Sequence, residues 1–137
     1  MNAFFDASAL IYLIEGAEPF ASGVRAELAR MVRKHPSMGT AVSRLSWLEC
    51  RIRPVRSNDL ATVAAFDAFF ARPDLVWVEL GRDVIELATA IRVKHGLRTA
   101  DALQAASCLQ LGPRHLFLTG DADFGKVAGL KVKVVAG

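Results

Sequence analysis

Asn2-Ala3-Phe4-Phe5-Asp6-Ala7-Ser8-Ala9-Leu10 passes from a short apolar, β-prone run through one carboxylate into a segment of helix formers. A strand over Asn2 to Phe5, followed directly by Asp6 and then by a helix, is the first half of a βα unit, and it delivers a charged side chain to the carboxyl end of a sheet. The same alternation recurs along the chain. Further β-prone runs lie at Met38 to Val42, Leu75 to Leu80, His115 to Thr119 and Leu130 to Val135. Between them the apolar spacing predicts helices over Ala7 to Glu15, Phe20 to Lys34, Arg44 to Arg53, Leu60 to Ala71, Arg82 to His95 and Ala100 to Leu111. Gly16, Pro36, Pro54, Pro73, Gly96 and Gly112-Pro113 punctuate the breaks. Strands alternating with helices imply an α/β fold with a mainly parallel five-stranded sheet. Right-handed crossovers then make it a three-layer α/β/α sandwich whose ligands gather beyond the carboxyl ends of the strands.

The length of 137 residues suits a single domain, residues 1–137, with one substantial core. Hydrophobic residues make up 53% of the chain, yet the longest apolar stretches, such as Ala9 to Ile14, are far too short to cross a bilayer, so no membrane association is expected. The amino-terminal residues lack the basic segment and apolar core of a secretion signal, and the cytoplasm is the expected location. Cys50 and Cys108 read as small core residues, since two unpatterned cysteines make neither a disulfide framework nor a zinc site. His35, His95 and His115 follow no metal-ligand spacing and are expected as ordinary surface or loop residues. A net charge of +3 is compatible with a polyanionic partner.

Against that basic background, Asp6, Glu49, Asp101 and Asp121 stand where the expected elements would aim them at one end of the sheet. Two carboxylates roughly 4 Å apart repel by about 4 kcal/mol at an effective dielectric near 20, so such a cluster takes up protons or binds a cation. Oxygen-only ligands select magnesium, with manganese as the alternative. Each acid also has a plainer explanation. Asp6 would serve as a helix N-cap. Glu49, on the edge of an inward stripe formed by Leu45, Leu48 and Ile52, would pair with Arg51, Arg53 or a residue from elsewhere. Asp101 would favour a helix dipole from the first turn, and Asp121 would form a turn with Asp123. Asp121, nearer the strand, is the expected fourth acid, and Asp123 is the alternative ligand.

Taken in order, these segments resemble a PIN domain, and within that family the VapC-type toxins of bacterial toxin–antitoxin pairs. Phe5-Asp6-Ala7-Ser8-Ala9-Leu10 is similar to the first acidic motif, Ser46-Trp47-Leu48-Glu49 to the second, Leu97-Arg98-Thr99-Ala100-Asp101-Ala102-Leu103 to the third, and Leu118-Thr119-Gly120-Asp121-Ala122-Asp123-Phe124 to the fourth. Gly129-Leu130-Lys131-Val132 is similar to the last strand. The resemblance implies that Asp6, Glu49, Asp101 and Asp121 form an acidic metal-binding quartet, supported by the hydroxyls of Ser8 and Thr119. It implies a magnesium-dependent endoribonuclease, a cognate antitoxin partner and a homodimer. The dimer is expected to draw on the amphipathic helices Phe20 to Lys34 and Leu60 to Ala71, with Phe66, Phe69 and Phe70 read first as core.

For such an enzyme, carboxylate-held magnesium accounts for phosphodiester hydrolysis without a Ser, Cys or His nucleophile. Arg44, Arg51, Arg53, Arg98 and Lys126 are the basic candidates for flanking phosphates. A non-catalytic PIN-fold module that binds RNA or protein is the alternative, and would show a broken acidic set. A receiver-like or phosphatase-like domain is disfavoured, because Asp6-Ala7-Ser8 lacks the neighbouring acid that such chemistry needs.

Overall fold

The computed structural model describes residues 1–135. Its sheet is built from β1 (Asn2–Phe5), β2 (Gly39–Ser43), β3 (Leu75–Val78), β4 (His115–Thr119) and β5 (Val132–Val134), in the spatial order β3-β2-β1-β4-β5. Every neighbouring pair is parallel, with Phe5 facing Val42 on one side and Leu118 on the other. Successive side chains of a strand point to opposite faces, and both faces of β1 are covered. Phe4 joins Ala41 and Phe117 in one apolar cluster, while Ala3 and Phe5 join Val42 and Leu118 in the other.

The helices are α1 (Ala7–Glu15), α2 (Phe20–Lys34), α3 (Arg44–Arg56), α4 (Leu60–Phe70), α5 (Arg82–His95) and α6 (Thr99–Leu109). Val84, Ala88 and Ile91 of α5 and Ala102, Ala105, Ala106 and Cys108 of α6 cover the Phe4 face. Ala9 and Leu10 of α1, Val24 and Met31 of α2, and Phe66 and Phe70 of α4 cover the Phe5 face. This is the expected α/β/α sandwich, with the sheet parallel throughout. The chain leaves β1 toward β2 and later returns to β4 on its other side. That reversal places a crevice at the carboxyl ends of β1 and β4, where α/β folds bind ligands.

Three expectations need correction. The helix expected to stop before Pro54 continues through it to Arg56. In the final turn Pro54 forfeits a single helical bond, and the chain instead leaves the helix at Ser57 and Asn58, whose φ is +52°. The phase of α3 also differs: Ser46, Cys50 and Pro54 face inward, whereas Leu48 and Ile52 are 58% and 45% exposed. Small side chains at i, i+4 and i+8 let α3 lie close to its neighbours, and its larger apolar residues turn outward. Finally, His115 is no surface residue. It is buried in β4, where its Nδ1 lies 2.7 Å from the Gly112 carbonyl and its Nε2 accepts from the Lys131 amide at 3.1 Å. The second contact leaves the ring proton on Nδ1, so the imidazole ties two loops together. Both cysteines are buried and free, and burial holds each thiol well above its usual pKa.

Candidate active site

Asp6 follows the last residue of β1, and its backbone amide extends the ladder by donating to the Leu118 carbonyl at 3.1 Å. Its carboxylate caps α1, with Oδ1 accepting from the Ala9 amide at 2.9 Å. Capping and a place at the sheet end are thus one geometry, not rival explanations. Ser8 donates to the same oxygen at 2.7 Å, and Thr119, at the end of β4, donates to Oδ2 at 2.5 Å. The two hydroxyls expected beside the acids therefore both grip Asp6. Ser8 Oγ also accepts from the Gly120 amide at 2.9 Å, and Thr119 Oγ1 accepts from the Asp121 amide at 3.0 Å. These bonds lock the β4 end onto the start of α1.

Asp121 opens a 3₁₀ turn, Ala122–Lys126, and accepts from the Asp123 amide at 2.9 Å. Asp123 itself is exposed and lies outside the acid cleft, which Asp121 does line. Glu49 projects from α3, half-buried, and accepts from Gln104 Nε2 on α6 at 2.9 Å. Asp101 stands in the first turn of α6, with Arg98 Nε at 3.3 Å from its Oδ2. Asp6, Glu49, Asp101 and Asp121, with Ser8, Arg98, Gln104 and Phe124, line a single cleft of about 180 Å³.

The ion pair proposed for Glu49 by the plainer reading does not form. Arg51 pairs with Asp67 at 3.2 Å, and Arg53 pairs with Glu15. Arg44 pairs with Glu79 at 2.6 Å and lies 3.8 Å from the centre of the Trp77 ring. Of the five basic candidates for phosphate contact, Arg98 alone lines the acid cleft. Among the described residues Asp6, Glu49 and Asp121 form no salt bridge.

Burial pushes the Asp6 carboxyl above its ordinary pKa. Its hydrogen bonds from Thr119, Ala9 and Ser8 oppose this, and the Glu49 charge adds to it. Burial raises Glu49 as well. The Gln104 hydrogen bond opposes that shift, Asp101 reinforces it, and Arg98 opposes it. Both acids are thus held in surroundings that disfavour their own negative charge, which a nearby cation would relieve.

Among the described residues, no three acidic, histidine or cysteine side chains are arranged to hold a metal ion as they stand. Asp6 commits both oxygens to hydrogen bonds, and Asp121, Asp101 and Glu49 commit one each. Each carboxylate oxygen has two lone pairs, and one oxygen on each of the last three acids takes part in no protein hydrogen bond among the described residues. The donor set, all oxygen and anionic, fits a hard divalent cation.

The sequence reading missed Gln104, Ser46, Ser43 and Ser107, which form a buried polar seam between α3 and α6. Gln104 Nε2 donates to Ser46 at 3.0 Å, Ser107 donates to the Leu103 carbonyl at 2.7 Å, and the Ser43 and Ser107 hydroxyls are hydrogen-bonded at 3.1 Å. The available signal was a glutamine three residues after Asp101 on an alanine-rich helix face.

No curated protein matches the chain. Solved structures share its fold along nearly the whole length, three of them as follows. VapBC2 from Rickettsia felis, bound to a promoter DNA fragment, matches with a TM-score of 0.76 at 13% identity over 98% of each chain. A toxin–antitoxin complex from Klebsiella pneumoniae matches with a TM-score of 0.68 at 22% identity, again over 98% of each. VapBC-1 from nontypeable Haemophilus influenzae matches with a TM-score of 0.69 at 16% identity and the same coverage. Residues 3–130, which contain every acid of the cleft, match the family model of the PIN domain, and the chain belongs to that family.

Proposed function

We propose that this protein is a metal-dependent endoribonuclease and the toxin of a VapC-type toxin–antitoxin pair. One observation carries the reading: four carboxylates from separate elements line one cleft at the switch point of a parallel sheet, and three of them have no cationic partner among the described residues. A structural acid is usually neutralised by a neighbour, whereas a catalytic one is left for its ligand.

Magnesium, or manganese in its place, would lower the pKa of a bound water and neutralise the scissile phosphate. Asp6, Asp101, Asp121 and Glu49 are the residues that would hold it. Ser8 and Thr119 fix the Asp6 carboxylate so that it cannot swing away. Arg98, 84% exposed at the rim, is free to exchange its contact with Asp101 for one with a phosphate of the RNA. Cys50 lies next to Glu49 in sequence but is a poor nucleophile, since burial and then the charges of Glu49, Asp6 and Glu15 keep its thiol protonated.

The partners follow from the same reading. An antitoxin would cover the cleft, a second copy of the chain would form a homodimer, and the setting would be the cytoplasm. Among the described residues, no helix is long and apolar enough to cross a membrane.

The test is to map cleaved RNA ends after brief expression of wild type and of Asp6→Asn. Wild type should give discrete new ends that require magnesium when the purified protein is used, and Asp6→Asn should lower cleavage at least about 100-fold. Full activity in the variant would refute the site. The non-catalytic alternative draws support from the Arg98–Asp101 contact and would appear as RNA retention without cleavage in wild type.

A further inference from the structure

Gln104 is buried on α6 one turn beyond Asp101, among alanine, serine and cysteine. Its Nε2 bridges α6 to α3 by donating to Glu49 Oε1 at 2.9 Å and to Ser46 Oγ at 3.0 Å. The amide orientation follows from the chemistry. A carboxylate only accepts, so the nitrogen faces Glu49 and the carbonyl Oε1 is left buried without a partner. Native cores rarely leave such an acceptor unmatched, and here it accompanies a donor placed on an acid of the cleft.

Glu49 would not hold this position unaided. It has no ion pair among the described residues, its side-chain hydrogen bond comes from Gln104, and it sits beside the exposed outer face of α3. We propose that Gln104 is a positioning residue that pins Glu49 Oε1 so that Oε2 is presented to the cleft for a divalent cation. Ser46 holds the amide from its other side, which fixes the torsion that aims it. This inference rests on the metal-dependent reading given above.

Manganese alone serves as the probe. Its affinity for the full chain is measured without RNA, from the electron paramagnetic resonance signal of the free ion, for wild type, Gln104→Met, Gln104→Asn, Glu49→Gln and Asp6→Asn. Methionine keeps the length and removes the donor, whereas asparagine keeps an amide but falls short of Glu49. Circular dichroism establishes which variants fold, and either Gln104 variant suffices.

Loss of the outer support of a metal ligand typically weakens affinity about tenfold or more. Gln104→Met and Gln104→Asn should therefore weaken manganese binding about tenfold. The metal concentration for half-maximal RNA cleavage should rise by the same factor, with kcat at saturating metal within about threefold of wild type. Unchanged manganese affinity in a folded Gln104 variant, alongside weakened binding in Glu49→Gln, would overturn the inference and leave the metal site standing. Unchanged affinity in both Glu49→Gln and Asp6→Asn would overturn the metal site and this inference with it.

Discussion

Asp6 is buried and has no cationic partner among the described residues, and its pKa lies above the ordinary value because burial outweighs three hydrogen bonds. A carboxyl that is raised on folding binds its proton more tightly in the native state. The stabilisation this brings is complete below the unfolded pKa, near 4, and disappears as pH rises through the folded value. At neutral pH, without a divalent cation, the ionised Asp6 works against the fold. In the presence of a chelator, the Tm of Asp6→Asn relative to wild type should therefore rise between about pH 4 and pH 7. The asparagine amide facing Thr119 adds an offset that does not vary with pH. Magnesium should raise the wild-type Tm at pH 7 and leave the variant unmoved. Scanning fluorimetry across pH reads both effects, and a flat difference would contradict the electrostatic account. Asp6 was legible in the sequence because a strand end fixes where its side chain goes. Gln104 was not, since a neutral side chain declares itself only when the phase of its helix is known.

At the scale of elements, the turn from β4 into the 3₁₀ segment depends on Gly120. A Cβ there would lie 2.6 Å from the Tyr12 hydroxyl and 2.7 Å from its ring carbon Cε2. Tyr12 cannot easily yield, because its ring stacks on Phe20 with centroids 4.6 Å apart. Gly120→Ala should thus destabilise the protein by about 1–3 kcal/mol, the usual cost of overfilling a packed site. Because the Gly120 amide donates to Ser8, the variant should also lower cleavage. Denaturant unfolding and RNA cleavage report the two effects. A loss below about 0.5 kcal/mol, the range of an ordinary surface change, would show that the ring moves aside. Elements of strong local pattern were read almost to the residue: β1, β4, α1, α2 and α5 have the expected bounds. The phase of α3 was misread because Leu45, Leu48 and Ile52 mimic an inward stripe. Close approach to α6 at Ser46 and to α1 at Cys50 instead selects this small face, a tertiary preference that hydrophobic periodicity does not contain.

Turned outward, that apolar stripe becomes a property of the whole molecule. Arg44, Leu45, Trp47, Leu48, Arg51, Ile52, Val55, Arg56 and Leu80 line an open groove of about 690 Å³, far larger than the acid cleft. A contiguous exposed apolar surface of this kind usually marks contact with another protein. The phenylalanines of α4 belong to the core, as expected: Phe66 and Phe70 are buried, and Phe5 and Phe70 flank the half-buried Phe69. For the homodimer of the proposed function, the groove on α3 offers a larger exposed apolar surface than the phenylalanines of α4. Arg44 and Arg51 are already paired with Glu79 and Asp67, so a facing copy would meet little unbalanced charge from them. Wild type should behave as a dimer in light scattering at micromolar concentration. The double variant Leu48→Asp/Ile52→Asp should be monomeric, since each aspartate would have to be buried unpaired against its counterpart. Both positions are exposed in the single chain, so monomer stability should change by less than about 0.5 kcal/mol per site. A wild type that stays monomeric alone, and loses its antitoxin when the same two residues are changed, would assign the groove to the antitoxin and refute the dimer contact.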